Sequence, residues 1–365
     1  MLLTVAVYML IPVLPLWLMQ TENFSPTETG LSMGAFALGL YLLGGQCSWL
    51  VQRFRRNVVC MWAVLALAVD LLLLMNMDGM RSEFVEFWVV LVQRLLLGAT
   101  FGLAQMVLSS TLIIDTCESY QRTDANHGAA WFARFALSLG PMAGLVLYAV
   151  AGFQGVLWGT IGCALLTVLL IKLVTFPFRA PEEGVHVASL DRFLLPHGHV
   201  LFVNLLLVSV VVGLLLSLPS DAVFYAFMMA GFLLALLARH FVFRNAEMKS
   251  EVVSGLILMM GAVLVLLTSS HSPVAPVLLG LGVGIISSRF LLFFIKLSRH
   301  CKRGTSQSTY FLAWETGLSV GIALGYVFFF EQPRPLLFTA LLLTTVSLAM
   351  YHFLTHEWFL RHKNR

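Results

Sequence analysis

Charged side chains are scarce in this chain. Asp, Glu, Lys and Arg make up 11% of its 365 residues, whereas 59% of the residues are hydrophobic. Soluble globular proteins contain about 25% charged and about 45–50% apolar residues. This composition leaves too little polar surface to cover a soluble domain. The excess apolar side chains must face another solvent, and a lipid bilayer is the one that fits.

Chemical motifs are equally scarce. The five cysteines lack the spacing of a metal site or a redox motif; they are Cys47, Cys60, Cys117, Cys163 and Cys301. The sequence also lacks paired carboxylates, a nucleophile with its base, a zinc pattern and a phosphate-binding glycine loop. We therefore expect a protein that is not an enzyme, does not use ATP, and needs no cofactor and no metal ion.

Long apolar runs are abundant instead. A membrane-crossing helix needs about 20 consecutive apolar residues, and short polar links separate twelve runs of about that length. They cover approximately residues 2–19, 30–50, 57–76, 85–111, 127–150, 153–177, 198–218, 221–243, 251–269, 273–296, 308–330 and 335–356. The sequence therefore predicts an all-α, multi-pass integral membrane protein with twelve transmembrane helices, in contact with membrane lipid.

The basic residues predict how these helices are oriented. Of the 22 Lys and Arg residues, most fall in links on the side of the amino terminus, and only Arg81 and Arg334 fall in links on the other side. Basic residues concentrate in cytoplasmic loops, so both termini are expected in the cytoplasm. The formal charge of +4 is explained by these links and does not require a nucleic-acid partner.

Two of the runs carry recognisable motifs. Arg94 is followed by Gly98 and Gly102 in the fourth run, and the fifth run contains the stretch from Gly140 and Pro141 to Gly144. The first pattern resembles the fourth-helix motif of the major facilitator superfamily. The second resembles the fifth-helix motif that its drug and metabolite antiporters share. The chain is thus similar to this superfamily over nearly its whole length.

The resemblance implies a secondary active transporter, by default a monomer, built from two pseudo-symmetric six-helix bundles. An internal repeat is consistent with two halves, because Ser138, Gly140 and Gly144 of the fifth run correspond to Ser319, Gly321 and Gly325 of the eleventh. We divide the chain into bundles at residues 1–178 and 198–365, with a cytoplasmic linker at residues 179–197. The bacterial inner membrane is the expected location.

Several ionisable residues lie inside the apolar runs, where a charge is costly and by default marks a substrate or proton path. Asp70 and Arg94 lie at similar depth on consecutive runs, so we expect them to pair. The pair has two interpretations, a structural salt bridge or a proton-sensing pair.

A second group lies nearer the cytoplasmic ends of the runs. Arg289 and Glu315 share a level on consecutive runs and are expected to pair, while Arg134 at a similar depth is a surplus cation that favours an anionic or amphipathic substrate. Burial favours the protonated form of Glu315, and a nearby arginine favours the ionised form. Glu315 is therefore the best candidate for proton coupling, with structural pairing as the alternative.

Further candidates are polar or aromatic. Those expected to bind substrate, besides the two arginines, are Trp131, Trp314, Tyr41, Gln46, Gln105, Asn204 and Tyr225. Those expected to take part in gating are Arg53, Arg55 and Arg56 in the link after the second run, together with Gly140, Pro141 and Gly144. For the arginine cluster, the alternative interpretation is an anchor to anionic lipid.

Three functions are compatible with these features. The first is proton-coupled antiport that exports a small amphipathic or drug-like molecule by alternating access. The second is proton-coupled transport of an organic anion or sugar, which more polar side chains in the first, fourth, seventh and tenth runs would favour. The third is a non-transporting membrane scaffold or receptor.

Overall fold

The fold is described from a computed structural model that covers residues 1–75, 83–112, 122–176, 186–243, 246–269, 272–299 and 302–363. Helices account for nearly all of these residues, and no strand occurs among them. Residues 179–185, the first part of the predicted linker, lie outside the described ranges. The prediction of an all-α fold is confirmed.

The first four helices cover the first third of the chain. They are α1 (Leu2–Gln20), α2 (Pro26–Leu42), α3 (Arg56–Met75) and α4 (Glu83–Val107). After a bend of 50°, α2 continues as a short helix, Cys47–Arg53. Helix α4 continues as a π-helical turn, Leu108–Leu112.

The fifth and sixth spans form one helical stretch, Arg122–Leu173, that is too long for a single crossing. Gly152 interrupts it with φ of 64° and ψ of −168°, a backbone conformation that is essentially restricted to glycine. This break separates α5 (residues 122–151) from α6 (residues 153–173).

The remaining six helices follow with short connections. They are α7 (His199–Leu216), α8 (Ala222–Phe241), α9 (Met248–Thr268), α10 (Val274–Leu297), α11 (Arg303–Phe329) and α12 (Pro333–Met350). Helix α12 continues through a π-helical turn, Tyr351–Thr355, to His362. Within the described residues, the bent α2 and the division at Gly152 bring the spans to twelve, in agreement with the sequence prediction.

Glycines allow close helix packing at equivalent places along the chain. A Cβ added to Gly39 of α2 would lie 2.9 Å from the Cα of Gly98 on α4, and one added to Gly231 of α8 would lie 3.0 Å from the Cα of Gly280 on α10. Helices α2 and α8 occupy the same place in each series of six. Small residues let membrane helices approach closely, so both series use the same device.

Contacts between the two series run mainly through α2 with α11 and through α5 with α8. The linker adds further contacts on the face that carries the chain termini, which we call the terminal face. There the backbone N–H of Ser189 donates to the carbonyl of Gly45 at 2.9 Å, and that of Arg192 donates to Thr305 at 2.9 Å. The linker thus connects the end of α2 to the start of α11.

The outer surface of the helix bundle is apolar. Leu38 is 68% exposed, Trp62 is 67% exposed and Val150 is 82% exposed, although large apolar side chains are usually buried in soluble proteins. Arg134 and Glu315, by contrast, are buried inside. This arrangement suits a protein that is surrounded by lipid.

Candidate functional site

A cavity of about 260 Å³ lies between α1, α4 and α5 on one side and α10 and α11 on the other. Its lining runs from Glu315, deep in the bundle, to Met1 at the terminal face. Most of the wall is apolar, and the polar side chains on it are Thr4, Tyr8, Gln105, Ser109, Arg134, Ser287, Gln307, Tyr310 and Glu315. Both halves of the chain contribute to this wall.

Glu315 is held by a residue from the other half. The phenolic O–H of Tyr8 on α1 donates to Oε1 of Glu315 at 2.6 Å, and both side chains are buried. Tyr8 is the only hydrogen-bond partner of Glu315 within the described part of the chain, and Glu315 forms no ion pair there. A buried carboxyl group without a basic partner can take up a proton at low cost, because burial penalises its charged form.

Arg134 is the second charged residue of the cavity, and it also contacts the other half. Its Nε donates to the hydroxyl of Ser287 on α10, and its guanidinium lies over the ring of Trp131, 4.6 Å from the centroid. Its two terminal nitrogens are buried and lack a hydrogen-bond partner among the described residues. The neutral hydroxyl of Tyr310 also lies beside the guanidinium, and no carboxylate among the described residues forms an ion pair with it.

Close packing of α5 against α1 positions Tyr8. A Cβ added to Gly140 would lie 2.7 Å from the Cβ of Tyr8, and one added to Gly144 would overlap the carbonyl oxygen of Met9 and lie 3.0 Å from its Cα. The two glycines are one helical turn apart, so α1 rests against a smooth strip of α5. The glycine motif of the fifth run therefore also supports the Tyr8–Glu315 contact.

The remaining polar wall near the terminal face is formed by side-chain pairs. Gln105 on α4 donates to the hydroxyl of Thr4 on α1 at 2.7 Å. Tyr310 lies beside Arg134 and Ser287. No group of three or more His, Cys, Asp or Glu side chains that could bind a metal ion occurs within the described ranges.

The sequence matches the family model of the Major Facilitator Superfamily over residues 1–326. The chain belongs to the major facilitator superfamily. Membership makes it a multi-pass membrane transporter and not an enzyme, as the sequence predicts. Glu315 and Arg134 therefore lie in the central cavity of a superfamily member.

Solved structures of superfamily transporters share this fold. A bacterial homologue of the iron transporter ferroportin, in an inward-facing state, has a TM-score of 0.69 at 12% identity, covering 98% of this chain and 96% of that one. The human organic anion transporter MFSD10 has a TM-score of 0.68 at 16% identity, with 96% of each chain covered. The E. coli fucose:proton symporter FucP has a TM-score of 0.64 at 14% identity, covering 100% of this chain and 98% of that one.

No curated protein sequence gives a significant match. The identities to the solved structures are low, so they establish the fold of this superfamily member and leave its cargo to be inferred from its own residues.

The predicted pair of Arg289 and Glu315 is wrong. The guanidinium of Arg289 makes two hydrogen bonds to the carboxylate of Glu251 on α9, a residue that was not among the sequence candidates. Two residues at one helical level can face different neighbours, and Arg289 points toward α9. Arg289 is half-buried and absent from the described lining of the cavity, and it forms an ion pair with the buried Glu251.

The predicted direct pair of Asp70 and Arg94 is also absent from the described residues. Asp70 accepts a hydrogen bond of 2.7 Å from the side-chain amide of Gln93 instead. Arg94 lies over the ring of Phe36, 5.0 Å from the centroid. Both charges remain buried, but outside the described cavity lining. The side-chain amide of Gln93, and not the guanidinium of Arg94, donates the hydrogen bond to the Asp70 carboxylate.

The other substrate-binding candidates fall into two groups. Gln105 and Trp314 line the cavity, as Arg134 does. Trp131 packs beneath Arg134 with Ala235 and Ile285, outside the described lining.

Tyr41, Gln46, Asn204 and Tyr225 also lie outside the described lining. The hydroxyl of Tyr41 is 2.8 Å from that of Thr316 on α11, and Asn204 donates to the backbone carbonyl of Ser347 on α12 at 3.1 Å. Gln46 precedes the short helix after α2, and Tyr225 is fully buried with its hydroxyl unpaired among the described residues.

The candidate gating arginines lie at the corner between α2 and α3. Arg53 and Arg55 are exposed and Arg56 is half-buried, at the terminal face. Pro141 lies within α5, between Gly140 and Gly144. Their participation in gating stays a prediction.

Tyr8, Ser287 and Glu251 are the important residues that sequence reasoning missed. Tyr8 is the only tyrosine of the first apolar run, which is a weak signal, and Ser287 could have been noticed as part of a Ser-Ser-Arg sequence in the tenth run. Glu251 lies at the start of the ninth run, where an acidic residue is easily taken for a solvated helix terminus.

Proposed function

We propose that this protein is a proton-coupled transporter that exports a small amphipathic molecule by antiport. The observation that carries the proposal is Glu315, a buried carboxyl group in a cavity between two halves, bonded to Tyr8 of the opposite half. The two halves rock about this cavity so that it opens to one side of the membrane at a time.

The surroundings of Glu315 suit a proton carrier. The other titratable or charged side chains on the described wall of the cavity are Tyr8, Tyr310 and Arg134. Both phenols can donate a hydrogen bond to a carboxylate, and neither carries a charge that would hold Glu315 permanently ionised. Glu315 can therefore bind a proton when the cavity opens to one side of the membrane and release it when the cavity opens to the other side.

The rest of the cavity wall suits an amphipathic cargo. Phe132, Leu137, Leu291, Phe311 and Trp314 contribute apolar surface. The volume of about 260 Å³ is slightly below the range of about 300–1,000 Å³ for pockets that enclose drug-sized ligands. We therefore favour a small cargo over a large drug molecule.

Alternating access needs two bodies and a gate. We take residues 1–178 and 198–365 as the two bodies, joined by residues 179–197, and we place the terminal face in the cytoplasm because of the basic residues found there. Close approach of α2 and α11 opposite the terminal face, where Gly34 faces Ala323, supports a cavity that opens to the cytoplasm.

The test is a transport assay in proteoliposomes that contain the purified protein, with an imposed pH gradient and a panel of small amphipathic compounds. We expect uptake or release to follow the gradient and to be abolished by Glu315→Gln. The sign of the dependence separates antiport from symport. Transport of a compound at a rate that does not depend on the pH gradient would contradict the proposed proton coupling.

The alternative functions make different predictions in this assay. A transporter of an organic anion or sugar would accept hydrophilic anionic or neutral compounds and reject amphipathic ones. A scaffold or receptor would move no compound, and Glu315→Gln would leave its partner binding unchanged.

A further inference from the structure

Two opposite charges line the cavity without neutralising one another. Glu315 is bonded to a phenol and Arg134 to a serine hydroxyl, so each has a neutral partner. No ion pair joins them within the described residues. When Glu315 is ionised, both are buried charges without a counter-charge, which is costly, and a ligand that carries both counter-charges would relieve both costs.

Building on the proposed function, we propose that the cargo is a small amphipathic zwitterion. Its anionic group binds the two unpartnered terminal nitrogens of Arg134, and its ammonium group binds the carboxylate of Glu315. Its apolar part lies against Leu137, Leu291 and Phe311.

The geometry at Arg134 favours a planar anion such as a carboxylate. A guanidinium presents its N–H donors in a fixed fork that matches two carboxylate oxygens. Ser287 holds Nε and Trp131 covers one face of the group, so the orientation of the fork is set before a ligand arrives. The unpartnered nitrogens are the two at the end of the fork.

Both charged side chains line one cavity of about 260 Å³, so a cargo that fits between them must be small. Amino carboxylates with an apolar side chain are the simplest small amphipathic zwitterions.

A zwitterion also explains how a proton could drive export. The ionised form of Glu315 binds the ammonium group, whereas the protonated form offers no charge to it. Proton uptake by Glu315 therefore weakens cargo binding, and cargo binding opposes proton uptake. This competition is the requirement for antiport.

The experiment compares ligands that share an apolar body and differ in charge. The probes are phenylalanine, 3-phenylpropanoate and 2-phenylethylamine, and the matched aliphatic set is leucine, 4-methylpentanoate and 3-methylbutylamine. Binding to the full-length protein in lipid nanodiscs is measured by calorimetry. We expect a zwitterion to bind at least about tenfold more tightly than its anionic and cationic analogues, because it gains one more charge-assisted contact than either.

Substitutions make the test specific to the two charges. Arg134→Gln should lose the preference for the carboxylate, so that the amine binds as well as the zwitterion. Glu315→Gln should lose the preference for the ammonium group, so that the anion binds as well. Arg289→Gln, which removes a half-buried arginine outside the cavity lining, should leave the order of preference unchanged even if it lowers stability.

The zwitterion proposal is overturned if no zwitterion binds, if singly charged analogues bind as tightly, or if neither cavity substitution changes the order. If only the proton-coupling proposal fails, the order of the ligand affinities will hold, but transport will not depend on the pH gradient.

Discussion

The hydroxyl of Tyr8 donates a hydrogen bond of 2.6 Å to Glu315, and this contact joins α1 of the first half to α11 of the second. A rocking motion of the halves would have to break or rebuild it. The contact therefore couples the proposed proton carrier to the conformation of the protein, and it can be tested without altering any charge.

Tyr8→Phe should lower the thermal stability of the purified protein and slow gradient-driven transport. A hydrogen bond to a charged group contributes about 1.5–3 kcal/mol, and phenylalanine keeps the Cβ atom that lies against Gly140. Tyr225→Phe is the matched control, because Tyr225 is equally buried but its hydroxyl is unpaired among the described residues. It should be neutral or stabilising, and equal losses in both variants would contradict the assigned role of Tyr8.

Gly144→Ala should destabilise the protein by about 1–3 kcal/mol, the usual cost of overpacking. The added methyl group would meet the backbone of Met9 on α1, which cannot move aside like a flexible side chain. Gly162→Ala on α6 is the control, since its methyl group would meet nothing within 4 Å and alanine is the better helix former. Thermal unfolding in detergent compares the two, and a harmless Gly144→Ala would argue against tight packing of α1 on α5.

Removing Arg289 from the Arg289–Glu251 pair should destabilise the protein by about 3–5 kcal/mol, because the charge of Glu251 would stay buried and unpaired. Arg289→Met combined with Glu251→Leu should recover most of that loss. A double-mutant cycle of thermal unfolding measures the coupling. Single effects that simply add in the double variant would mean that the two residues do not interact.

A cysteine at the mouth of the cavity should react with a membrane-impermeant thiol reagent from the cytoplasmic side only. In a variant with all five native cysteines replaced, Ala129→Cys lines the cavity near the terminal face. Ala323→Cys, half-buried to a similar degree, packs against Gly34 near the opposite face and should resist the reagent from that side. Labelling of Ala129→Cys from the opposite side of the membrane alone would reverse the proposed orientation.

The fold was predictable because lipid imposes a simple rule. Every backbone polar group must be satisfied within the segment that crosses the bilayer, so twelve apolar runs translate directly into twelve helices. The glycine motifs were informative for a related reason, since only small residues permit the approach of α2 to α4 and of α5 to α1. The boundary at residues 179–197 stays a prediction.

The partners of the buried charges were not predictable to the same degree. Depth along a helix was estimated well enough, and Arg134, Trp314, Gln105 and Glu315 do line one cavity. Depth alone does not give the direction in which a side chain points around the helix axis, and a rotation of one residue is about 100°. Arg289 therefore pairs with Glu251, and Gln93 makes the contact with Asp70 that was predicted for Arg94.

Composition and the lengths of the apolar runs by themselves determined that this chain is a twelve-helix membrane protein, because hydrophobic length and helix geometry are local properties of the sequence. The arginine and glycine motifs added the resemblance to a transporter superfamily. Only the tertiary structure decided that Glu315 contacts Tyr8 and that Arg134 contacts Ser287. These contacts join residues that are hundreds of positions apart or lie in different halves, and they depend on how each helix is rotated against its neighbours. That rotation is set by the packing of the whole bundle.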